Sequence, residues 1–203
     1  MNKKIQQHCT IEETVELIQQ LIKEKDSPVL VALDGRSGTG KSTIAKKLAG
    51  SLDGIEINAD NFWSGGSNEE WDKRSPEEKS DKAIDWKRLR SEVLIPLLSG
   101  EVAKWRSFDW EKGEGLSPTE IINEPKQFIL LDGAYSSRPE LQDLIDLSIL
   151  VEVSDDHNRR LRLITRENKE YMKDWHGRWD VAEDYYFTKI RPNETFDLII
   201  NND

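Results

Sequence analysis

The segment DGRSGTGKST, residues 34–43, combines three glycines with one lysine and ends in two hydroxyl side chains. Its spacing fits G-x-x-x-x-G-K-[ST], a pattern in which the backbone N–H groups of a glycine-rich turn surround phosphate oxygens. In that chemistry Lys41 reaches the β- and γ-phosphates and the Ser42 hydroxyl binds Mg²⁺. The segment predicts a nucleoside triphosphate site formed by Gly35, Arg36, Ser37, Gly38, Thr39, Gly40, Lys41, Ser42 and Thr43.

Two carboxylates follow predicted strands and would face the same crevice. Asp60 closes GIEINAD, residues 54–60, and could accept the proton of an attacking hydroxyl. Asp132 ends the run FILLD and could hold Mg²⁺ directly or through water. A turn-capping role stays open for each, because aspartate is common in turns.

Three arginines, Arg159, Arg162 and Arg166, are spaced by three and four residues and would share one helical face. Placed after the fourth predicted strand, they could close over the triphosphate and neutralise the charge that develops during transfer. The alternative is a solvated basic face that pairs with neighbouring acidic residues.

Tryptophans are concentrated in segments that should overhang the crevice. They could stack on a ring-shaped substrate, and packing in the core is the alternative for each of them. The residues concerned are Trp63, Trp71, Trp110, Trp175 and Trp179.

The elements that must position these groups follow from the apolar pattern. Buried-strand patterns alternate with amphipathic segments, which predicts an α/β fold with a five-stranded parallel sheet, right-handed crossovers and helices on both faces. The expected strands cover residues 29–33, 54–60, 127–133, 147–153 and 196–203. Ligands of such sheets bind beyond the C-terminal ends of the strands, which is where the polar motifs fall.

We expect one domain over residues 1–203. It would comprise an N-terminal helix within 1–27, an acceptor-binding excursion over 61–127, and lid and C-terminal helices over 154–192. The net charge of −10 disfavours a nucleic acid as partner, and no apolar run approaches the ~20 residues that span a membrane. A single cysteine and the lack of a signal-peptide pattern favour the cytoplasm; a homo-oligomer stays open.

Taken together, the motifs resemble the uridine kinase and phosphoribulokinase family of P-loop kinases, in the family's order across residues 29–167. The resemblance rests on DGRSGTGKSTIAKKLA, NADNFW, AIDWKRLRSEVLIPLLSGEVAKWRSFDW, FILLDGAY and RRLRLITRE. It implies a P-loop kinase fold, with ATP as phosphate donor and Mg²⁺ as cofactor.

The resemblance also implies roles for individual residues. Asp60 matches the family's base, with Phe62 two positions on, and RSFDW matches an acceptor-lining segment through Phe108 and Asp109. Trp63 joins this candidate acceptor set as a stacking residue. Arg159, Arg162 and Arg166 match the lid arginines, of which Arg159 is assigned to the nucleotide and the other two to catalysis.

Two segments depart from the family pattern in the region that binds the nucleoside. The stretch before the substrate helix is only SDKAID, in which Asp81 and Asp85 are the candidate ribose ligands, and EKGEG replaces the motif after RSFDW. The phosphate machinery is therefore matched better than the acceptor pocket.

We expect ATP- and Mg²⁺-dependent transfer to a hydroxyl of a small molecule, with a nucleoside 5′-hydroxyl as the first candidate. A kinase for a sugar, a vitamin precursor or an antibiotic is the second reading, because P-loop kinases share machinery but not pockets. A regulatory nucleotide-binding ATPase that transfers nothing is the third.

Overall fold

The computed structural model of the chain describes residues 7–166 and 174–203. Within these ranges, six strands form one parallel sheet in the order β1-β8-β7-β2-β6-β3, and β4 pairs with β5 in a separate antiparallel ribbon. The strands are β1 (Gln7–His8), β2 (Val29–Asp34), β3 (Ile55–Asn58), β4 (Ala103–Trp105), β5 (Ile121–Asn123), β6 (Phe128–Asp132), β7 (Leu147–Glu152) and β8 (Leu198–Asn201).

The five predicted strands are all present, and the parallel arrangement is confirmed. The sheet gains one further strand, β1, at its edge beside β8. Every residue of β2 and β6 is buried, as expected for central parallel strands covered on both faces.

The register of the sheet aligns the C-terminal ends of β2, β3 and β6. Leu33 of β2 and Asn58 of β3 both lie beside Asp132 of β6. The segments that follow these three strands therefore emerge at the same edge of the sheet.

The helices flank the sheet and fill the connections. They are α1 (Ile11–Glu24), α2 (Lys41–Ser51), α3 (Asn68–Asp72), α4 (Pro76–Lys82), α5 (Trp86–Arg88), α6 (Ile95–Leu98), α7 (Asp156–Arg166) and α8 (Val181–Tyr185). A π-helical segment, Leu89–Leu94, joins α5 to α6, and two more, His176–Asp180 and Tyr186–Ile190, flank α8. No helix in the described ranges is long and apolar enough to cross a membrane.

Two apolar cores lie on opposite faces of the sheet, as the alternation of side chains along β2 requires. Leu30 packs into a core beneath the connection between β3 and β6 and the C-terminal helices. Val31 packs into the other core, which α1 and α2 cover. The start of α1 is fixed by a capping box in which Glu13 N–H donates to Thr10 Oγ1 and Thr10 N–H donates to Glu13 Oε2.

Candidate active site

The glycine-rich loop leaves the end of β2 and leads into α2, and its tight path requires glycine at specific positions. Gly38 has φ +84°, and a Cβ there would lie 2.7 Å from the carbonyl oxygen of Arg159. Gly40 has φ +88° and caps α2 without a side-chain hydrogen bond. The first turn of α2 therefore has no side-chain cap, a feature in keeping with the predicted phosphate site at a helix N-terminus.

Asp34 fixes the base of this loop. Its buried carboxylate accepts hydrogen bonds from Gly35 N–H at 2.8 Å, from Tyr135 N–H and Ser137 N–H at 2.9 Å each, and from the Tyr186 hydroxyl at 2.8 Å. Burial raises the pKa of Asp34, and the hydrogen bonds from Ser137, Tyr186 and Gly35 oppose the rise. One carboxylate thus joins the loop to the segment after β6 and to the C-terminal helices.

Ser37, in the middle of the loop, is held from two sides. Glu183 of α8 accepts a hydrogen bond from Ser37 N–H at 3.1 Å and another from the Ser37 hydroxyl. Arg159 of α7 donates to the Ser37 carbonyl oxygen at 2.9 Å. Burial raises the pKa of Glu183. Glu183 was not predicted from the sequence, because a lone glutamate on an amphipathic helix carries no motif.

Arg159 contacts the loop backbone while it is almost completely buried among acidic partners. Its guanidinium donates to Asp156 at 2.6 Å and to Asp180 at 3.3 Å. Arg162 is exposed on α7, and one of its guanidinium nitrogens lies 3.9 Å from the point that a Cβ on Gly40 would occupy. The side chain of Arg166 lies outside the described part of the chain, so its predicted role stays a prediction.

Lys41, Ser42 and Asp132 come together at the start of α2. Lys41 donates to the Arg36 carbonyl oxygen at 2.9 Å. Burial raises the pKa of Asp132 to about 6, and the nearby Lys41 charge and Ser42 hydroxyl oppose the rise. Among the described residues, the buried Oδ1 of Asp132 has no hydrogen-bond partner.

This donor set fits Mg²⁺. The ion is commonly bound through one or two carboxylates together with substrate phosphates and water, rather than by a cage of protein ligands. An orphaned carboxylate oxygen beside a hydroxyl offers such a position, and the described residues contain no cluster of three or more metal-binding side chains.

Because the charge of Asp132 is buried, we expect it to lower the free energy of unfolding in a pH-dependent way. Because its pKa is raised from the ordinary 3.8 to about 6, the folded state binds more protons than the unfolded state in that window. The free energy of unfolding therefore falls as the pH rises through it. We expect Asp132→Asn to stabilise the metal-free protein by about 1–3 kcal/mol near pH 8.

Urea unfolding of both proteins across a pH series measures this effect. The gain should shrink towards about pH 3, below the ordinary pKa of 3.8, where both states of the wild type are largely protonated. An equal gain at both ends of the series would contradict the assignment of a buried, strained charge to Asp132.

Asp60 lies in a 3₁₀ turn, Ala59–Phe62, directly after β3. Asp60 N–H donates to the Asn58 side chain at 2.8 Å, which fixes the exit from the strand. The charge of Asp60 contributes to the raised pKa of Asp132, so the two carboxylates are electrostatic neighbours. Asp60 also lines a cavity of about 500 Å³.

We call this space the acceptor cavity. It extends from the glycine-rich loop, at Ser37 and Glu183, to the connection between β3 and β6. Among the described residues, seven aromatic side chains line it: Trp63, Trp71, Phe108, Trp110, Tyr135, Trp175 and Trp179. The volume lies within the range of small-molecule sites.

The tryptophans that line the acceptor cavity pack against one another. The ring centroids of Trp63 and Trp71 are 4.9 Å apart, and those of Trp71 and Trp179 are 5.2 Å apart. The predicted tryptophans therefore pack against each other and also line a cavity, and stacking on a substrate stays a prediction.

Two of the acceptor residues implied by the resemblance lie away from this cavity. Phe62 is fully buried in the core and stacks on Trp105 with ring centroids 4.8 Å apart. Asp109 is buried and accepts hydrogen bonds from Glu111 N–H and Lys112 N–H, so that it caps a turn. Their neighbours in sequence, Trp63 and Phe108, do line the cavity.

The candidate ribose ligands are also placed elsewhere. Asp81 pairs with Arg138 at 2.9 Å, and Asp85 accepts a hydrogen bond from Arg88 N–H at 3.1 Å. Both border a second cavity of about 470 Å³, which Gly65 and Gly66 also line. A nucleoside in the acceptor cavity would not find a ribose ligand in either of them.

Comparisons with known proteins agree with the fold. No protein-family model matches the chain. A uridine kinase from Ligilactobacillus salivarius (strain UCC118) is 25% identical over 176 residues, which cover 85% of this chain and 80% of that protein. A uridine kinase from Clostridium tetani (strain Massachusetts / E88) is 27% identical over 175 residues, which cover 81% of this chain and 78% of that protein.

Solved structures extend the likeness to nearly the whole chain. A possible uridine kinase from Bacillus stearothermophilus has a TM-score of 0.71 at 16% identity, covering 94% of this chain and 99% of that one. A protein assigned provisionally as a fructose transport system kinase from Silicibacter sp. TM1040 has a TM-score of 0.71 at 19% identity, covering 94% and 98%. At these identities the two structures show a shared fold, which confirms the predicted fold class.

Proposed function

We propose that this chain, a P-loop kinase of the uridine kinase-like group, transfers the γ-phosphate of ATP to a hydroxyl group of a small molecule in the acceptor cavity. One observation carries the proposal. Asp60 and the phosphate-loop residue Ser37 line the same cavity of about 500 Å³, so an alcohol there would lie between a carboxylate and the phosphate site. Phosphoryl transfer requires this arrangement of acceptor and donor.

In this mechanism, the loop amides and Lys41 bind the triphosphate, and Ser42 and Asp132 would hold Mg²⁺. The metal would neutralise charge on the phosphate oxygens. Asp60 orients the acceptor hydroxyl and takes its proton as the new O–P bond forms. The bond between the γ-phosphorus and the β,γ-bridging oxygen breaks, and ADP leaves. Arg162 and Arg166 would stabilise the transferring group from the lid.

A nucleoside 5′-hydroxyl is the first candidate acceptor, because two curated relatives across most of the chain are uridine kinases. A non-nucleoside alcohol is the second candidate. It is favoured by the engagement of Asp81 with Arg138 and of Asp85 with Arg88, both outside the acceptor cavity.

The proposal is tested by ATP turnover with Mg²⁺ and a panel of uridine, cytidine, simple sugars and heteroaromatic alcohols. We expect a phosphorylated product with at least one acceptor, detected by mass spectrometry, and slow ATP hydrolysis when none is present. Acceptor-independent hydrolysis without any phosphorylated alcohol would favour the regulatory ATPase instead.

A further inference from the structure

We propose that Glu183 is a positioning residue, which holds the phosphate loop at Ser37 in the orientation that receives the γ-phosphate. This inference rests on the proposed function and deepens it. It assigns part of the geometry of the phosphate loop, residues 35–43, to a side chain that lies far outside the glycine-rich motif.

Glu183 binds both the backbone and the side chain of Ser37. Its carboxylate accepts hydrogen bonds from Ser37 N–H, at 3.1 Å to Oε1 and 3.2 Å to Oε2, and from the Ser37 hydroxyl. Glu183 is only 2% exposed, and hydrogen bonds shielded from bulk water are stronger than those on a surface. The direction of the Ser37 N–H is therefore set by a helix from the C-terminal part of the chain.

Arg159 fixes the next peptide group of the loop. It donates to the Ser37 carbonyl oxygen at 2.9 Å, and its guanidinium lies 3.8 Å from the Glu183 carboxylate. A trans peptide is planar, with its C=O and N–H on opposite sides, so the Gly38 N–H is directed away from Arg159. Within the described ranges, no backbone oxygen accepts a hydrogen bond from this N–H. It is therefore left for a ligand such as a phosphate oxygen.

The charge of Glu183 is compensated in the folded protein. Burial raises the pKa of Glu183, and the hydrogen bonds from Ser37 and the charges of Lys41 and Arg159 oppose the rise. The carboxylate therefore contributes hydrogen-bond geometry to the site rather than an unpaired negative charge.

Ser37 is the part of the loop that faces the acceptor. Of residues 35–43, all of which the structure describes, only Ser37 lines the acceptor cavity, and Glu183 lines the same cavity. Transfer requires the γ-phosphate to lie between the loop and the acceptor hydroxyl, so this phosphate must approach the loop near Ser37. A misplaced Ser37 should therefore weaken contacts with the γ-phosphate more than contacts with the α- and β-phosphates.

Two substitutions separate the reach of the Glu183 side chain from its charge. Glu183→Asp keeps the charge but is shorter by one methylene group, so its carboxylate loses contact with Ser37. We expect it to weaken binding of Mg²⁺–AMP-PNP, an unreactive ATP analogue, by about tenfold or more, and binding of Mg²⁺–ADP by less than about threefold. Isothermal titration calorimetry measures both affinities.

Glu183→Gln keeps the length of the side chain but loses the charge and one hydrogen-bond acceptor. It leaves Arg159 its bonds to Asp156 and Asp180, so we expect this variant to fold even if Glu183→Asp does not. It should weaken AMP-PNP binding by about two- to fivefold, because one amide oxygen can replace only part of the contact with Ser37.

A purely electrostatic role for Glu183 would give the opposite order. Glu183→Asp would then bind AMP-PNP as the wild type does, and Glu183→Gln would bind it more tightly, because a negative charge near the triphosphate is gone. That order, unchanged affinities in both variants, or an equal loss for AMP-PNP and ADP would overturn the proposal.

A double-mutant cycle shows whether Glu183 acts through Ser37. Ser37→Ala removes the hydroxyl that donates to the carboxylate. We expect the loss of AMP-PNP affinity in the double variant with Glu183→Gln to be at least about threefold smaller than the product of the two single losses. A loss equal to that product would overturn the proposal. The matched control is Glu194→Gln, an exposed glutamate outside the cavity, which should leave both nucleotide affinities unchanged.

The two proposals fail separately. If ATP phosphorylates an alcohol while both Glu183 variants bind AMP-PNP as the wild type does, the kinase function stands and the positioning role is wrong. If the variants behave as expected but no alcohol is phosphorylated, the positioning role stands and the proposed transfer fails. If the wild type does not bind AMP-PNP, the phosphate-loop assignment fails and the positioning role fails with it.

Discussion

Replacing Lys41 with alanine is expected to lower the rate of phosphate transfer by about 10²–10³-fold or more, with the fold intact. The ammonium group is placed at the start of α2, beside the phosphate loop, where negative charge would develop on the transferring group. Its removal takes away a preorganised positive charge that water replaces poorly. Initial rates with saturating acceptor, together with ATP affinity from calorimetry, measure the loss.

The local structure indicates that this variant will still fold. Lys41 donates to the Arg36 carbonyl oxygen, which also accepts hydrogen bonds from the hydroxyl and N–H of Thr39, so the substitution leaves no buried acceptor without a partner. Lys46→Ala is the matched control, because this lysine lies on the same helix and is exposed. Near-normal transfer by Lys41→Ala, with an unchanged circular dichroism melt, would refute the phosphate-loop assignment.

The fold was largely predictable because its signals are local. Continuous apolar runs such as residues 29–33 predict buried parallel strands, and the capping box at Thr10 and Glu13 predicts where α1 begins. The strand β1 escaped prediction because two residues carry no alternation of apolar and polar side chains. Its pairing with β8 depends on a contact between the two ends of the chain.

Within the candidate site, too, the residues with a local sequence signal were predictable and the others were not. The glycine-rich loop is predictable because its residues lie in one short segment and each has a backbone role. Glu183 was not predictable, because it lies 146 positions along the chain from Ser37 and meets it only in the folded protein. Tertiary packing of this kind leaves no periodic pattern in the sequence.

The two acceptor residues that lie outside the cavity illustrate a further limit. Phe62 and Trp63 are adjacent, yet one is fully buried in the core and the other lines the cavity. Phe62 is the last residue of the 3₁₀ turn, whereas Trp63 follows it with ψ +133°, so a shift of one residue decides which side chain faces the cavity. A family motif transfers the position of such a turn more reliably than the role of each residue in it.

Asp60→Asn is expected to lower kcat by about 10²–10⁴-fold while changing ATP affinity by less than about twofold. An asparagine keeps the size of the side chain and can still accept a hydrogen bond from the acceptor, but it cannot take the proton. Asp60 is exposed at the cavity wall beyond β3, and the phosphate loop contacts other groups, so nucleotide binding should not depend on it. The predicted effect therefore falls on turnover alone.

Asp53→Asn is the matched control for this substitution. Asp53 precedes β3, whereas Asp60 follows it, so the same change of charge is made at the opposite end of the strand. Asp53 is exposed and has φ +50°, a conformation that asparagine tolerates well. Single-turnover kinetics with saturating ATP separates chemistry from binding in both variants. Equal losses of turnover and ATP affinity in Asp60→Asn would instead assign Asp60 to the nucleotide, and the acceptor hydroxyl would then need another base.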